Sequence, residues 1–197
     1  TTELFPAFAA DRYSQILDVI DEIKPAEIVE IGTWNGNRAL QMIQQAAKYR
    51  PIQDIYYQGF DLFGTQTGEQ FRSELSKRGW NVEVVEKRLK ATGADIELLE
   101  GDTKNTLREN IVERADLYFI DGGHSEKTIQ NDFDEVRPLL IRSVAIFDDY
   151  YHEGKPEGMG CNKVIDSITD QYKVTHLPIR TKTDDGRVIG MVRVEYA

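Results

Sequence analysis

Cysteine is nearly absent. Cys161 is the single one in 197 residues, so no disulfide can close within the chain and no thiolate metal cluster can be built. That usage suits a reducing cytoplasm, the expected location. Cys161 itself reads as a small core residue rather than a nucleophile. No apolar run approaches ~18 residues, so no membrane span is expected, and no basic-then-apolar signal segment opens the chain. Basic blocks are missing too. Against 24 Lys and Arg stand 34 Asp and Glu, a net charge of −10. A surface of that sign repels a phosphate backbone, which disfavours a nucleic-acid partner. Repeats, low-complexity tracts and internal linkers are also lacking, so a single domain over 1–197 is expected. The dinucleotide fingerprint G-x-G-x-x-G is absent, which weakens any NAD-dehydrogenase reading.

What is there is an alternation of strand and helix patterns, which implies an α/β fold around a mostly parallel sheet. An N-terminal helical segment covers 1–25, with Tyr13, Ile16, Leu17, Ile20 and Ile23 at helical spacing over 9–23 and Pro25 as the stop. Strands are predicted at Glu27–Ile31, Asp54–Phe63, Asp95–Asp102, Asp116–Gly123 and Ser143–Tyr150. The fourth is continuously apolar, as a central parallel strand should be. Helices are predicted at Arg38–Tyr49, over 68–91 with a break at Gly79, near Thr103–Ile111, over 125–140 and over 161–171. The loop Tyr151–Gly160 carries three glycines and reads as a mobile cover. The chain then ends in a β-hairpin over 172–197, with strands at 172–179 and 187–196 and a turn at Asp184-Asp185-Gly186.

The residues that carry chemistry sit at predicted strand ends. VEIGTWNG (Val29–Gly36) leaves the first strand; Gly32 and Gly36 permit a tight turn and close approach of backbone to a ligand, and a helix N-terminus with unpaired N–H groups follows. Asp61 closes the second strand and Gly101-Asp102-Thr103 the third, where Asp102 is also a natural helix N-cap. Asp121 closes the fourth strand in FIDGGH, and Asp148 and Asp149 close the fifth in IFDDY. Ligands bind outside the carboxyl ends of parallel strands. Neighbouring fourth and fifth strands would therefore gather three carboxylates at one mouth. Such a cluster needs a positive charge among its members, and an all-oxygen set favours a hard divalent cation, Mg²⁺ first, with Mn²⁺ or Ca²⁺ as alternatives. His124 lies three residues after Asp121 and has the chemistry of a general base.

With these motifs the chain resembles the class I S-adenosylmethionine (SAM)-dependent methyltransferases, and within them the metal-dependent small-molecule O-methyltransferases of the catechol and macrolide-sugar type. The resemblance spans nearly the whole chain and is strongest over residues 27–150. It implies a Rossmann-like three-layer sandwich whose seven-stranded, mostly parallel sheet has an antiparallel last strand. It implies a SAM site at Glu30, Gly32, Thr33, Trp34, Gly36, Asp61, Asp102, Thr103 and Asp121. There Glu30 organises the ammonium-bearing end of the cofactor, Asp61 accepts from the ribose hydroxyls, and Asp102 accepts from the adenine amino group. Leu62 or Phe63 would flank the adenine. It also implies a metal held by Asp121, Asp148 and Asp149, with His124 taking the acceptor proton beside Asp121. The expected reaction is methyl transfer to a hydroxyl of a small molecule, a sugar or a phenol or diol; a homodimer is compatible with it. Three alternatives stay open: a metal-independent SAM methyltransferase, a hydroxylase-like enzyme of antibiotic pathways on the same fold, and a SAM-binding module without an acceptor. His152, Tyr150, Tyr151 and Trp34 lie near the proposed mouth, and His176 reads as a packed or edge residue.

Overall fold

The computed structural model describes residues 12–73 and 78–197. Five βα units build the parallel part of the sheet. Its strands are β1 (Glu27–Ile31), β2 (Tyr56–Asp61), β3 (Asp95–Glu100), β4 (Leu117–Ile120) and β5 (Val144–Glu153). The chain ends in β6 (Tyr172–His176), the two-residue β7 (Thr181–Lys182) and β8 (Val188–Tyr196). Spatial order is β3-β2-β1-β4-β5-β8-β6, with β7 pairing β8 beyond the end of β6. Strands β1 to β5 pair in parallel, and β8 runs antiparallel to β5, β6 and β7. The order reverses between β1 and β4, where the crevice for a ligand opens in doubly wound sheets.

Alternation along the buried strands feeds two cores. Ile28, Tyr57, Leu117, Phe119 and Ile146 face helices α1 (Ser14–Ile23), α2 (Asn37–Ala46) and α4 (Val82–Lys90) through Ile16, Ile20, Met42, Ile43, Val85 and Leu89. Val29, Ile31, Phe60, Tyr118, Ala145 and Phe147 face α5 (Thr103–Asn110), α6 (Glu126–Val136) and α7 (Cys161–Asp166). The result is the expected helix–sheet–helix sandwich. Among the described residues no helix is long and apolar enough to cross a membrane.

Differences from the expected elements have local causes. The N-terminal helix begins at Ser14, with Arg12 and Tyr13 in a turn before it; the expected positions 1–11 lie outside the described residues. It stops at Lys24, whose left-handed backbone closes on Ile20 O, one residue before Pro25. The expected helix over 68–91 is two helices, α3 (Gly68–Ser73) and α4, and Gly79 falls between them as expected. Positions 74–77 of that stretch lie outside the described residues. Strand β5 runs three residues past Tyr150, because Tyr151 and Glu153 still pair with β8. The helix after Gly160 is shorter than expected and ends at Asp166. The sheet has eight strands rather than seven. The turn over 183–186 joins β7 to β8, while β6 reaches β8 from the other side of a four-residue connection.

That connection is fastened by a polar residue in the apolar stripe of α1. Gln15 is buried, its Nε2 donates to Ile179 O at 3.0 Å, and its Oε1 accepts from Ile179 N at 2.7 Å. The same Nε2 donates to Arg12 O at 3.0 Å, so one side chain holds both the terminal strands and the backbone of Arg12. Gln15→Ala leaves these groups without their partner and should lower the unfolding free energy by about 2 kcal/mol, as read by urea denaturation.

Candidate active site

A cleft of about 700 Å³ opens at the carboxyl ends of the parallel strands, inside the ~300–1,000 Å³ range of small-molecule sites. Of the residues expected in a site, Glu30, Gly32, Thr33, Trp34, Asp61, Asp102, Thr103, Asp121, His124 and Asp149 line it. Gly36 and Asp148 do not. Gly36 caps α2 at φ +75°, and a β-carbon there would meet Val85 at 3.0 Å, so its smallness serves the contact between α2 and α4. Gly32 is different. At φ +99°, a β-carbon on it would lie 2.0 Å from Asp121 O, so only glycine lets the turn after β1 cross the turn after β4.

The part of the cleft formed by the ends of β1, β2 and β3 is set by buried polar contacts. Glu30 is fully buried at the end of β1 and accepts from the Tyr57 hydroxyl, which also lies 3.1 Å from Thr33 Oγ1. Burial is the largest influence on its carboxyl and raises it to about 8, against the opposing effects of Tyr57 and Arg38. Asp61 accepts from Trp34 N at 2.8 Å and from Phe63 N at 2.7 Å, one bond per oxygen. Each oxygen keeps a further lone pair for a ligand hydroxyl. Burial raises its pKa as well. Leu62 lines the cleft, whereas Phe63 is buried in the core. Asp102 caps α5 by accepting from Lys104 N at 3.0 Å, and its other oxygen accepts from Gln70 Nε2 at 3.2 Å. Asp132 is a buried carboxyl that accepts from Asn131 Nδ2 at 3.2 Å and is raised by desolvation to about 6.

The acidic residues meet as expected, but with a partner the motifs did not announce. A β-bulge falls between Phe147 and Tyr150, and Asp149 takes a left-handed backbone at φ +58°. The extra residue re-aims the strand end, so that Asp148 and Asp149 both reach Arg12. Arg12 Nε donates to Asp148 Oδ1 at 2.6 Å and Nη2 to Oδ2 at 2.9 Å; Nη2 also reaches Asp149 Oδ1 at 3.3 Å and the Tyr13 hydroxyl at 3.1 Å. Burial opposes the charge on Arg12, but the bond and charge of Asp148 outweigh it and hold the guanidinium protonated. Asp149 Oδ2 lies 3.1 Å from His124 Nδ1. Burial pushes the Asp149 carboxyl up, yet the hydrogen bond and charge of His124, then Arg12 and Arg187, leave it below its usual value. Asp121 is held well above the usual range by burial first, then by the charges of Asp148, Asp149 and Glu30.

Among the described residues no group of three or more His, Cys, Asp or Glu side chains is arranged to hold a metal ion. The donor set explains this. Both oxygens of Asp148 accept from one guanidinium, and both of Asp149 face Arg12 or His124. As placed, these residues do not fit a divalent cation.

Sequence reasoning missed Arg12, Tyr13, Arg38 and Gln70, all of which line the cleft. The signal for Arg12 was present: it continues the buried stripe of Ile16 and Ile20 one turn further back, where a charge needs a partner. Tyr150, Tyr151 and His152 do not line the cleft. Tyr150 and His152 stack with His176 at the sheet edge, with ring centroids 4.6 to 5.5 Å apart, and Tyr151 is buried. Cys161 is buried and its thiol donates to Asp148 O at 3.1 Å. The glycine-bearing loop is tied down at its end, where Gly160 N donates to His124 O at 2.9 Å.

The family model described as a methyltransferase domain matches residues 29–150, from β1 to the bulge of β5. The chain belongs to this family. No curated protein matches the sequence. Among solved structures, this methyltransferase domain is similar to cofactor-bound Rv0187 from MTB, at TM-score 0.67 and 16% identity, covering 98% of this chain and 84% of that one. It is similar to the O-methyltransferase TomG of Streptomyces achromogenes, in complex with SAM and involved in tomaymycin synthesis, at TM-score 0.65 and 16% identity over 97% and 82% of the two chains. An O-methyltransferase from Bacillus cereus in complex with SAH gives TM-score 0.64 and 14% identity over 96% and 84%. At such identities the likeness is one of fold.

The raised carboxyls make stability depend on pH. Glu30 at about 8 and Asp132 at about 6 keep protons in the folded state that the unfolded chain releases near 4.5 and 3.8. Stability is therefore full below the unfolded values and is lost as pH climbs through the folded ones. Glu30→Gln should flatten the fall between about pH 5 and 8, measured by denaturation across that range.

Proposed function

We propose that this chain is a SAM-dependent methyltransferase acting on a hydroxyl of a small molecule. The observation that carries the reading is the His124–Asp149 pair at the rim of a cleft whose other end has the polar groups for the cofactor. Glu30 supports it as a buried carboxyl suited to an ammonium group, and Asp61 as a strand-end acceptor for paired ribose hydroxyls. Asp102 suits an adenine amino group while still capping α5. Gly32 lets the backbone come close to the ligand. When bound, SAM supplies an electrophilic methyl on a sulfonium, which departs as S-adenosylhomocysteine after transfer.

The chain's own residues then have defined tasks. Asp149 accepts from His124 Nδ1, so the proton resides there and Nε2 is the basic nitrogen. Nε2 takes the acceptor's hydroxyl proton, and the charge on Asp149 stabilises the imidazolium that forms. Trp34, whose Nε1 donates to Arg78 O at 2.9 Å, offers its ring as a wall for a cationic or apolar group. Alignment of acceptor oxygen and methyl is the main contribution of the protein.

No step here runs through a divalent ion, because Arg12 already engages the carboxylates that would hold it. His124→Ala should lower kcat by about 10²- to 10⁴-fold while SAM affinity changes little. The check is methyl transfer from labelled SAM to a panel of phenols and sugar hydroxyls. Wild-type rates from the His124 variant, or methylation confined to amines, would defeat this assignment.

A further inference from the structure

We propose that Arg12 is the built-in cation of this site, a guanidinium standing where the carboxylates at the end of β5 would otherwise take up a divalent metal. Three observations converge on it. The contact spans 136 residues of sequence and engages both oxygens of Asp148, a fork-to-fork geometry that a planar guanidinium meets and a compact ammonium does not. The pair is enclosed: the Arg12 and Asp148 side chains are only 11% and 1% exposed, so water screens their attraction little. The arrangement is also supported from outside. Gln15 holds the Arg12 backbone, and the Arg12 guanidinium lies 4.6 Å from the Tyr13 ring centroid, with Arg38 at 3.9 Å from the same ring. The Asp149 bulge completes the cradle by bringing a second carboxylate to Nη2.

A consequence for the acceptor follows, and it rests on the methyltransferase reading above. A metal ion gathers two neighbouring oxygens of an acceptor by chelation. A guanidinium bound to Asp148 and Asp149 has no such coordination to offer. The acceptor then needs a single hydroxyl within reach of His124, not a vicinal pair, and turnover persists in EDTA.

Two measurements on the full chain test the built-in cation without any acceptor or cofactor. The first is calorimetric titration of the wild type with Mn²⁺ alone. The expected result is no saturable binding below about 1 mM, the weak end of carboxylate sites. Micromolar binding that Asp148→Asn abolishes overturns the proposal. The second is thermal unfolding in excess EDTA. Asp148→Asn strands a buried guanidinium and should lower Tm by on the order of 10 °C, and adding Arg12→Met should recover most of that loss. If Asp148→Asn leaves Tm unchanged or raises it, the carboxylates repel one another without a partner and Arg12 is not their counter-ion. Loss of SAM binding or methyl transfer would instead bear on the functional reading alone, since neither measurement uses them.

Discussion

Charge compensation at the end of β5 is the constraint on which the site depends. Asp121, Asp148 and Asp149 are drawn together by neighbouring strands and by a bulge, and negative groups so placed separate or take up protons unless a positive group joins them. Arg12 is the positive group that joins Asp148 and Asp149, and His124 Nδ1 lies at hydrogen-bond distance from Asp149. Asp121 is the one whose carboxyl is driven far up, because burial and the charges of Asp148, Asp149 and Glu30 outweigh the opposing charge of Arg12. The segment before α1 is thereby attached to the rim of the cleft, and the same helix, through Gln15, is attached to the β6–β7 connection. The ion pair thus couples the first described residue to β5, and Gln15 couples the same segment to the strands that close the sheet.

The end of the cleft where we propose the cofactor binds obeys a different rule. Its polar groups are mostly satisfied by backbone, as at Asp61 and Asp102, or by one buried partner, as at Glu30. Such groups are held in place before any ligand arrives, and preorganisation of this kind limits the ordering cost of binding. The left-handed residues Trp34 and Asp149 lie on the cleft wall, and Phe63 directly follows Leu62 there. Backbone strain is tolerated where it aims a functional group.

Much of the architecture was legible because it is written in local patterns. A continuous apolar run marked β4, and GTWNG, GDT and IDGG marked the turns at the strand ends. Asp61, Asp121 and Asp149 fell into one cleft because the βα rhythm implies parallel strands, whose carboxyl ends share one edge of the sheet. The remainder depended on distance in sequence or on single-residue geometry. No local pattern links Arg12 to Asp148, and the need for a cation at the acid cluster pointed to a metal instead. The bulge at Asp149 shifts the register by one residue, which no alternation of polar and apolar residues reveals at a strand end. Gly36 looked like a ligand-facing glycine, yet its freedom is used against Val85 on α4, an element outside its own motif. The two-residue β7 escaped notice because so short a strand has no period to read.

The most direct test of the account is calorimetry of SAM binding to the full chain at about pH 7 in the presence of EDTA. Glu30, protonated in the open cleft at about 8, would ionise beside the cofactor's ammonium group. The account therefore predicts saturable binding accompanied by release of close to one proton, seen by comparing buffers of different ionisation enthalpy, and weakened by about tenfold or more in Asp61→Ala. Absence of binding, or binding indifferent to Asp61→Ala and without proton release, would contradict the assignment of this cleft as a cofactor site.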